Sequence, residues 1–399
     1  MGLDVVRQLG ADLDRRWQAA DYDPRQFSDM AVAALAAADL PGRVAPDEVI
    51  DWVLAADTLP RQMNLPATFG QPPVTLFCAK RFYIEALFWL DGSTSIHQHA
   101  FSGAFLVLSG SSIETRYSFV TEREWDGRFV TGKLAVESTA LLRRGDIRPI
   151  ASGRGRLVHS LFHLERPSLT LVVRTYRDAD AGPQFDFARP GIGVDPFFKE
   201  ETVDRMLEVV RLLRHLEDPS FEARVGGLVA RSDVHTAYRV LSDCLGLADR
   251  ALFDRLVGNV RDRDARTLMR LAFDERRRIA YLVTRRAHVR DAELRFFLGA
   301  LLNTQHRRDL LALARARAPE VEPATLVARW VRQLAGMSVK LQASGAPWQP
   351  NLFGLPEMND GHEAALAAHL AGREEPSDGA ESPFMSELRQ VRALAPLFG

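Results

Sequence analysis

The sequence predicts an α+β protein in which an antiparallel β-barrel or sandwich is framed by helices. Three observations predict it. Apolar residues recur at helical spacing before residue 60, short strand-like segments punctuated by Gly and Pro follow from residue 66, and helical spacing returns after Pro196. The 399 residues exceed one typical domain. A hydrophobic content of 46% supplies a sizeable core, and with 26% charged residues it excludes a disordered or fibrous chain.

Taken in order, Val5, Val6, Leu9 and Leu13 mark a first helix. Ser28-Asp29-Met30 opens an alanine-rich segment that stops at Pro41-Gly42, and Ala45-Pro46-Asp47 starts a further helix through Ile50, Val53 and Leu54. From Pro66, turns such as Gly70-Gln71-Pro72-Pro73, Ser109-Gly110, Asp126-Gly127 and Gly145-Asp146 separate segments rich in Val, Ile, Phe, Tyr and Thr. Strands are expected at 74–79, 82–90, 96–99, 104–108, 112–119, 134–142, 146–150, 156–163 and 169–176. Val203, Met206, Leu207, Val210 and Leu213 then share one helical face, and the pattern persists to about Leu341 without a fixed-period repeat. Beyond it, 374–379 reads as an exposed loop before a short apolar helix ending at Leu397-Phe398. The expected division is a helical segment at 1–65, a barrel at 66–196, a helical domain at 197–345 and a loop-rich tail with short helices at 346–399.

Composition narrows the function. Fifty-one basic and 52 acidic residues nearly cancel, so no whole-molecule field favours nucleic acid or a membrane. The arginine-dense stretch from Arg261 to Arg290 is interleaved with Asp262, Asp264, Asp274 and Glu275, as on a solvated helical face. Two distant cysteines, Cys78 and Cys244, make neither a disulfide framework nor a metal motif, which points to a reducing cytoplasm. No secretory h-region, myristoylation pattern or membrane-length apolar run is expected.

Chemistry concentrates in the histidines. His97 and His99 sit at i and i+2 on an expected strand, so their side chains point the same way. A barrel that turns this face inward brings His159, on a later strand, within reach, with His163 in reserve. Three neutral imidazoles suit Fe(II), Zn, Ni or Cu and leave positions open for substrate or water. The competing reading is that these are histidines satisfied within the core or at the surface.

At these residues the sequence resembles the cupin superfamily, and within it the cysteine-dioxygenase-type thiol dioxygenases. The run Arg81-Phe82-Tyr83-Ile84-Glu85-Ala86-Leu87-Phe88-Trp89 leads into Ser95-Ile96-His97-Gln98-His99, similar to that family's strand and its Ser-Ile-His-x-His segment. Ser102, Phe105, Leu106, Gly110, Glu114 and Thr115 continue the likeness, and Gly145-Asp146, Pro149, Gly155 and His159 approximate the second cupin motif. Spanning about residues 70–178, the resemblance implies a double-stranded β-helix, or jelly roll, and a metal held by His97, His99 and His159. Fe(II) comes first, with Zn, Ni, Mn or Cu as alternatives. It implies an oxygenase acting on a small anionic thiol or amino-acid-like substrate, or on a peptide. The other readings are a non-catalytic cupin that binds metal or ligand, and a Zn or Ni isomerase or hydrolase.

Departures from the family pattern are specific. Ala100-Phe101-Ser102-Gly103-Ala104 lacks the usual Glu ligand, a loss the three-histidine dioxygenases share, and Ala104 stands where some of them carry a crosslinking cysteine. The family's tyrosine falls on Tyr176, while Val172 and Arg174 replace the Ser and His of its relay. Strand alternation puts Val172, Arg174 and Tyr176 on one face. Arg174 then needs an acidic partner, either a substrate anion or an internal Glu85 or Glu114. Tyr176 either donates to an oxygen at the metal or is a core aromatic. The helices after residue 197 are expected to cover the barrel or to hold a protein partner or a second copy of the chain.

Overall fold

The computed structural model describes residues 3–63, 65, 69–90, 92–153, 157–244, 250–337, 351–373 and 382–399. Its architecture is α+β: a cupin-like barrel of two antiparallel sheets, with helices against the outer face of each. Helices α1 (Asp4–Ala19), α2 (Pro24–Ala38) and α3 (Pro46–Ala55) open the chain. Pro24 and Pro46 occupy first-turn positions, where a missing N–H costs no hydrogen bond.

Twelve strands follow among the described residues: β1 (Pro73–Cys78), β2 (Phe82–Trp89), β3 (Gly92–Ser93), β4 (Ile96–Gln98), β5 (Gly103–Ser109), β6 (Ser112–Asp126), β7 (Phe129–Leu142), β8 (Ile147–Ile150), β9 (Val158–His163), β10 (Ser168–Thr175), β11 (Asp186–Ala188) and β12 (Ile192–Val194). One sheet runs β1-β2-β10-β5-β8. The other runs β3-β9-β4-β11-β12-β7-β6, and a further pairing of β9 with β6 closes six of its strands into a ring.

Alternation along the strands assigns the faces. In the first sheet Ile84, Ala86, Phe88, Leu106, Leu171 and Val173 share a cluster with Val6, Leu13, Phe27 and Leu35 of the amino-terminal helices. The intervening Leu87, Phe105, Val107 and Val172 face the second sheet with Leu161 and Leu142. In the second sheet, Ile113 and Phe162 point away from that interior into a cluster built by later helices.

Those helices are α4 (Glu201–His215), α5 (Phe221–Arg231), α6 (Val234–Asp243), α7 (Arg250–Gly258), α8 (Arg263–Arg286), α9 (Ala292–Asn303), α10 (Arg307–Arg317), α11 (Pro323–Ala335), α12 (Asp360–Leu370) and α13 (Pro383–Gln390). They form two apolar clusters, one of α4 to α8 around Phe129 and Ile192 of the barrel, the other of α8 to α13 around Ile113 and Phe162. Leu352, Leu366, Leu388 and Leu397, from the stretch expected to be a loop-rich tail, are buried in the second cluster. The loop expected at 374–379 lies outside the described residues, as do 338–350, where the helical pattern was expected to fade. No helix among the described residues is long and apolar enough to cross a membrane.

Two differences from expectation have physical causes. The hairpin of β6 and β7 extends to Asp126 and Phe129, farther than 112–119 and 134–142: the ladder continues through the polar, exposed run Thr121-Glu122-Arg123-Glu124, which carries no apolar alternation to mark a strand. Strands β11 and β12, three residues each, are too short to register as strands, yet they bridge β4 to β7. The glycine in the turn between them is a requirement of close approach. A Cβ on Gly191 would lie 1.8 Å from the Gly132 carbonyl oxygen, and one on Gly132 would lie 2.0 Å from that of Val120. Backbone cannot give way there without breaking the ladder. Gly191→Ala is therefore expected to destabilise the protein by about 2 kcal/mol or more, as overpacking against backbone does. Urea unfolding, read as a lower midpoint at unchanged slope, checks it.

Candidate metal centre

The site lies between the two sheets. His97 on β4 pairs directly with His159 on β9, and Arg116 on β6 pairs with His159 from the other side. His99 lies just beyond β4 on the same face as His97. One ring nitrogen from each of His97, His99 and His159 lies within 4.8 Å of the others, and all three residues are buried. The structure thus brings together the three histidines that the sequence singled out.

Hydrogen bonds fix which nitrogen each ring offers. His97 Nδ1 donates to the Ser95 carbonyl at 2.8 Å, leaving Nε2 bare, and that Nε2 is buried without a partner. His159 Nδ1 lies 3.2 Å from Glu114 Oε1, so its Nε2 also presents a lone pair. That Nε2 is 2.9 Å from His99 Nε2. Without a cation, a proton on His99 must bridge these nitrogens; a metal replaces that proton and at the same time satisfies His97. The three rings therefore fit a divalent transition metal.

Electrostatics agree. Burial, reinforced by His159, pushes His97 down to about 3, against the opposing bond to Ser95. Burial together with the neighbouring histidines and Arg174 holds His99 well below the ordinary range. Such rings stay neutral, as metal ligands must. Glu114 is pushed up by burial, but the His159 hydrogen bond and the charges of His159, Arg116 and Arg148 outweigh this and leave it below the usual carboxylate range. Its Oε2 lies 3.4 Å from Arg116 Nε and 3.2 Å from Arg148 Nε.

A cavity of about 30 Å³ adjoins the histidines, walled by Glu85, Phe101, Phe105, Leu161 and Arg174 among others. Arg174 lines it as strand alternation predicts. Its Nη1 is 3.4 Å from Glu85 Oε1, its guanidinium lies 3.4 Å over the Phe101 ring, and its Nε is buried without a hydrogen-bond partner. Of the two acids weighed for Arg174, Glu85 pairs with it and Glu114 serves His159.

Tyr176 is placed differently from the expectation that it reaches the metal. Strand β10 ends at Thr175, so alternation no longer governs residue 176, and the Tyr176 hydroxyl donates to the Ala79 carbonyl at 3.0 Å. His163, the reserve ligand, stands outside the histidine group. It stacks on Trp89 at 4.2 Å, and its Nδ1 lies 2.9 Å from Ser112 Oγ. Because β9 stays extended, four residues carry it roughly 13 Å along the strand from His159. What the sequence did not reveal is the support: Glu114 behind His159 and the Ser95 carbonyl behind His97. The first needs the β6–β9 register and the second a backbone atom, neither of which a motif displays.

No protein-family model matches the chain, and no curated protein does. Among solved structures it is similar to a cupin-2 domain protein from Shewanella frigidimarina, at 11% identity over 27% of this chain and 83% of that one, with a TM-score of 0.18. It is also similar to hydroquinone 1,2-dioxygenase from Sphingomonas sp. TTNP3, at 12% identity over 30% and 72%, with a TM-score of 0.22. A third likeness, to the DMSP lyases RdDddP and RnDddQII, stands at 15% identity over 45% and 94%, with a TM-score of 0.26. At such similarity these likenesses carry no argument, and the cupin-like description rests on the strand order and the closed ring.

Two outcomes follow from the geometry. Protein purified without a histidine tag is expected to bind close to one equivalent of divalent transition metal, and the His97→Ala/His99→Ala double variant to bind none. Glu114→Gln keeps an acceptor but loses the charge that orients His159, so its metal affinity should fall about 10–100-fold. Elemental analysis and competition with a chelator measure both.

A further outcome concerns acid. Burial pushes His163 down to about 3 from an ordinary 6.5. The unfolded chain therefore binds a proton that the folded chain refuses. The stability contributed is fully present above pH 6.5 and is lost as pH falls toward 3. The slope is about 1.4 kcal/mol per pH unit for each such histidine. Urea unfolding of metal-free protein between pH 7 and pH 4 should show this loss, and His163→Asn should make it shallower.

Proposed function

We propose that this protein is a metal-dependent cupin enzyme whose His97, His99 and His159 hold Fe(II) for the oxidation of a small anionic substrate, or of one side chain of a peptide, by dioxygen. One observation supports it above the rest. Three buried imidazoles bring one ring nitrogen each within 4.8 Å of one another beside a cavity whose wall carries a guanidinium. Fe(II) bound by three neutral ligands keeps its full charge and supplies positions for both an anionic substrate and oxygen.

The chain's own residues do the rest. Arg174 faces the cavity with an unsatisfied Nε, suited to donating to a thiolate or carboxylate oxygen or sulfur. Glu85 balances its charge until a substrate anion arrives, and Phe101 holds the guanidinium plane. Phe105, Leu161 and Val172 keep water out, which strengthens every charge interaction within. Tyr176, bonded to Ala79, orients nothing at the histidines in this arrangement.

A binding module without turnover is the competing reading, and the small cavity favours it: about 30 Å³ admits only a reactive end or a water or two. Oxygen uptake separates the two. Anaerobically Fe(II)-loaded protein, given small thiols and amino acids and then oxygen, is expected to consume oxygen with at least one of them. Arg174→Met should then raise KM roughly tenfold or more with little change in kcat, at unchanged iron content, because it removes an anion contact made in the ground state. If no anion that perturbs the Fe(II) spectrum supports oxygen uptake, the protein is a binding module.

A further inference from the structure

A large cavity lies on the other side of the second sheet. It measures about 940 Å³, against about 30 Å³ at the histidines, and runs between β4, β9 and β11 and helices α4, α6, α8 and α9. Its floor is apolar and aromatic, with Phe162, Phe187, Tyr238, Ile279 and Leu302. This is the volume and lining of a site for a small organic molecule.

The charges in the cleft are unequally compensated. Three of its four acids already hold arginines that lie outside it: Asp195 takes Arg128 at 2.6 Å, Asp243 takes Arg211 at 2.7 Å, and Glu275 takes Arg278 at 2.7 Å. The fourth, Asp186, makes no ion pair among the described residues. Among the cleft's cations Arg239 is paired with Asp204, whereas Lys199 and Arg276 have no carboxylate partner among the described residues. Arg189 is the most telling. Its side chain is 5% exposed, its Nη2 donates to the Tyr117 hydroxyl, its Nη1 must share Glu275 with Arg278, and its buried Nε has no partner. A guanidinium donor left without an acceptor inside an apolar cleft is costly, and an anionic ligand would satisfy it.

We infer that this cleft is a second ligand site, separate from the metal centre, for an organic anion with an aromatic or aliphatic body. The apolar floor takes the body, and Arg189, Lys199 and Arg276 draw the acidic group. The site also adjoins the metal centre from behind. Ser95 and Asp186 line the cleft, Ser95 gives its carbonyl to His97 Nδ1, and Asp186 pairs with His97 across β4 and β11. An occupant therefore rests on the strand that holds a metal ligand.

The test uses full-length protein, both metal-loaded and metal-free, so that its outcome is independent of the metal reading. Anilinonaphthalene sulfonate, an anionic aromatic fluorophore, is titrated against it, with phenylnaphthylamine as the uncharged comparator. One saturable site per chain is expected, with the anion bound more tightly. Ala280→Trp, a substitution at an exposed helical position in the cleft, should abolish the signal. Lys199→Glu combined with Arg276→Glu should weaken the anion roughly tenfold, the loss of charge-assisted contacts, while Arg16→Glu, on α1, changes nothing. Unsaturable binding, or binding indifferent to Ala280→Trp, would overturn the site. Equal affinity for the neutral comparator, unchanged by the charge reversals, would overturn the anionic class.

Discussion

Strand β9 is the element on which the rest of the structure depends. It is paired along one edge with β3 and β4 and along the other with β6, so both edges are spent on ladder hydrogen bonds. Both of its faces are buried as well. His159, Leu161 and His163 look toward the first sheet, whereas Ser160 and Phe162 look toward the carboxy-terminal helices. A strand held on four sides cannot slip register, because a shift of one residue would exchange every side chain between the two faces. That is what keeps His159 opposite His97 and beside Glu114.

The same burial makes the polar groups between the sheets expensive, and the chain meets the cost by pairing them. Glu114 serves His159 with one oxygen and Arg116 and Arg148 with the other. Glu85 faces Arg174 at 3.4 Å, a looser contact than the 2.6 Å pair of Arg128 and Asp195 on the periphery. Buried pairs of this kind contribute little net stability, since desolvation offsets attraction. Their conspicuous presence is better explained by positioning: Glu114 fixes a tautomer, and the Arg174–Glu85 pair keeps a charge in the wall of an otherwise apolar cavity.

Much of this is legible in the sequence. Alternation in residues 82–89 and 168–175 gives the two faces of the first sheet correctly, because one face meets helices and the other a second sheet, both apolar. His-x-His is legible for the same reason, since a period of two forces both rings to one side. What escaped was set by contacts distant in sequence. Tyr176 lies one residue past the end of β10, where the ladder no longer dictates direction, and the Ala79 carbonyl captures it instead. Strands β11 and β12 rest on glycines whose purpose is the close approach of Gly191 to Gly132. A propensity reading treats glycine as a strand breaker, and so misses short strands whose connecting turn glycine makes sterically admissible.

The two faces of the second sheet divide the molecule's chemistry. The inner face, lined by His97, His99 and His159, closes on a space of about 30 Å³, and the outer face opens on one of about 940 Å³. A barrel alone would leave Ile113, Phe129, Phe162 and Ile192 in water, so the added helices are first of all a cover for apolar surface. The cover is incomplete where the cleft runs, and incompleteness there is not accidental packing. Close contact is achieved nearby, where Gly299 on α9 lies so near Phe162 that a Cβ would sit 2.9 Å from its ring. Helices able to seat that tightly on one part of β9 and to stand away from β4 and β11 beside it are shaped around a space, and charged side chains line that space where a mere packing defect would be apolar.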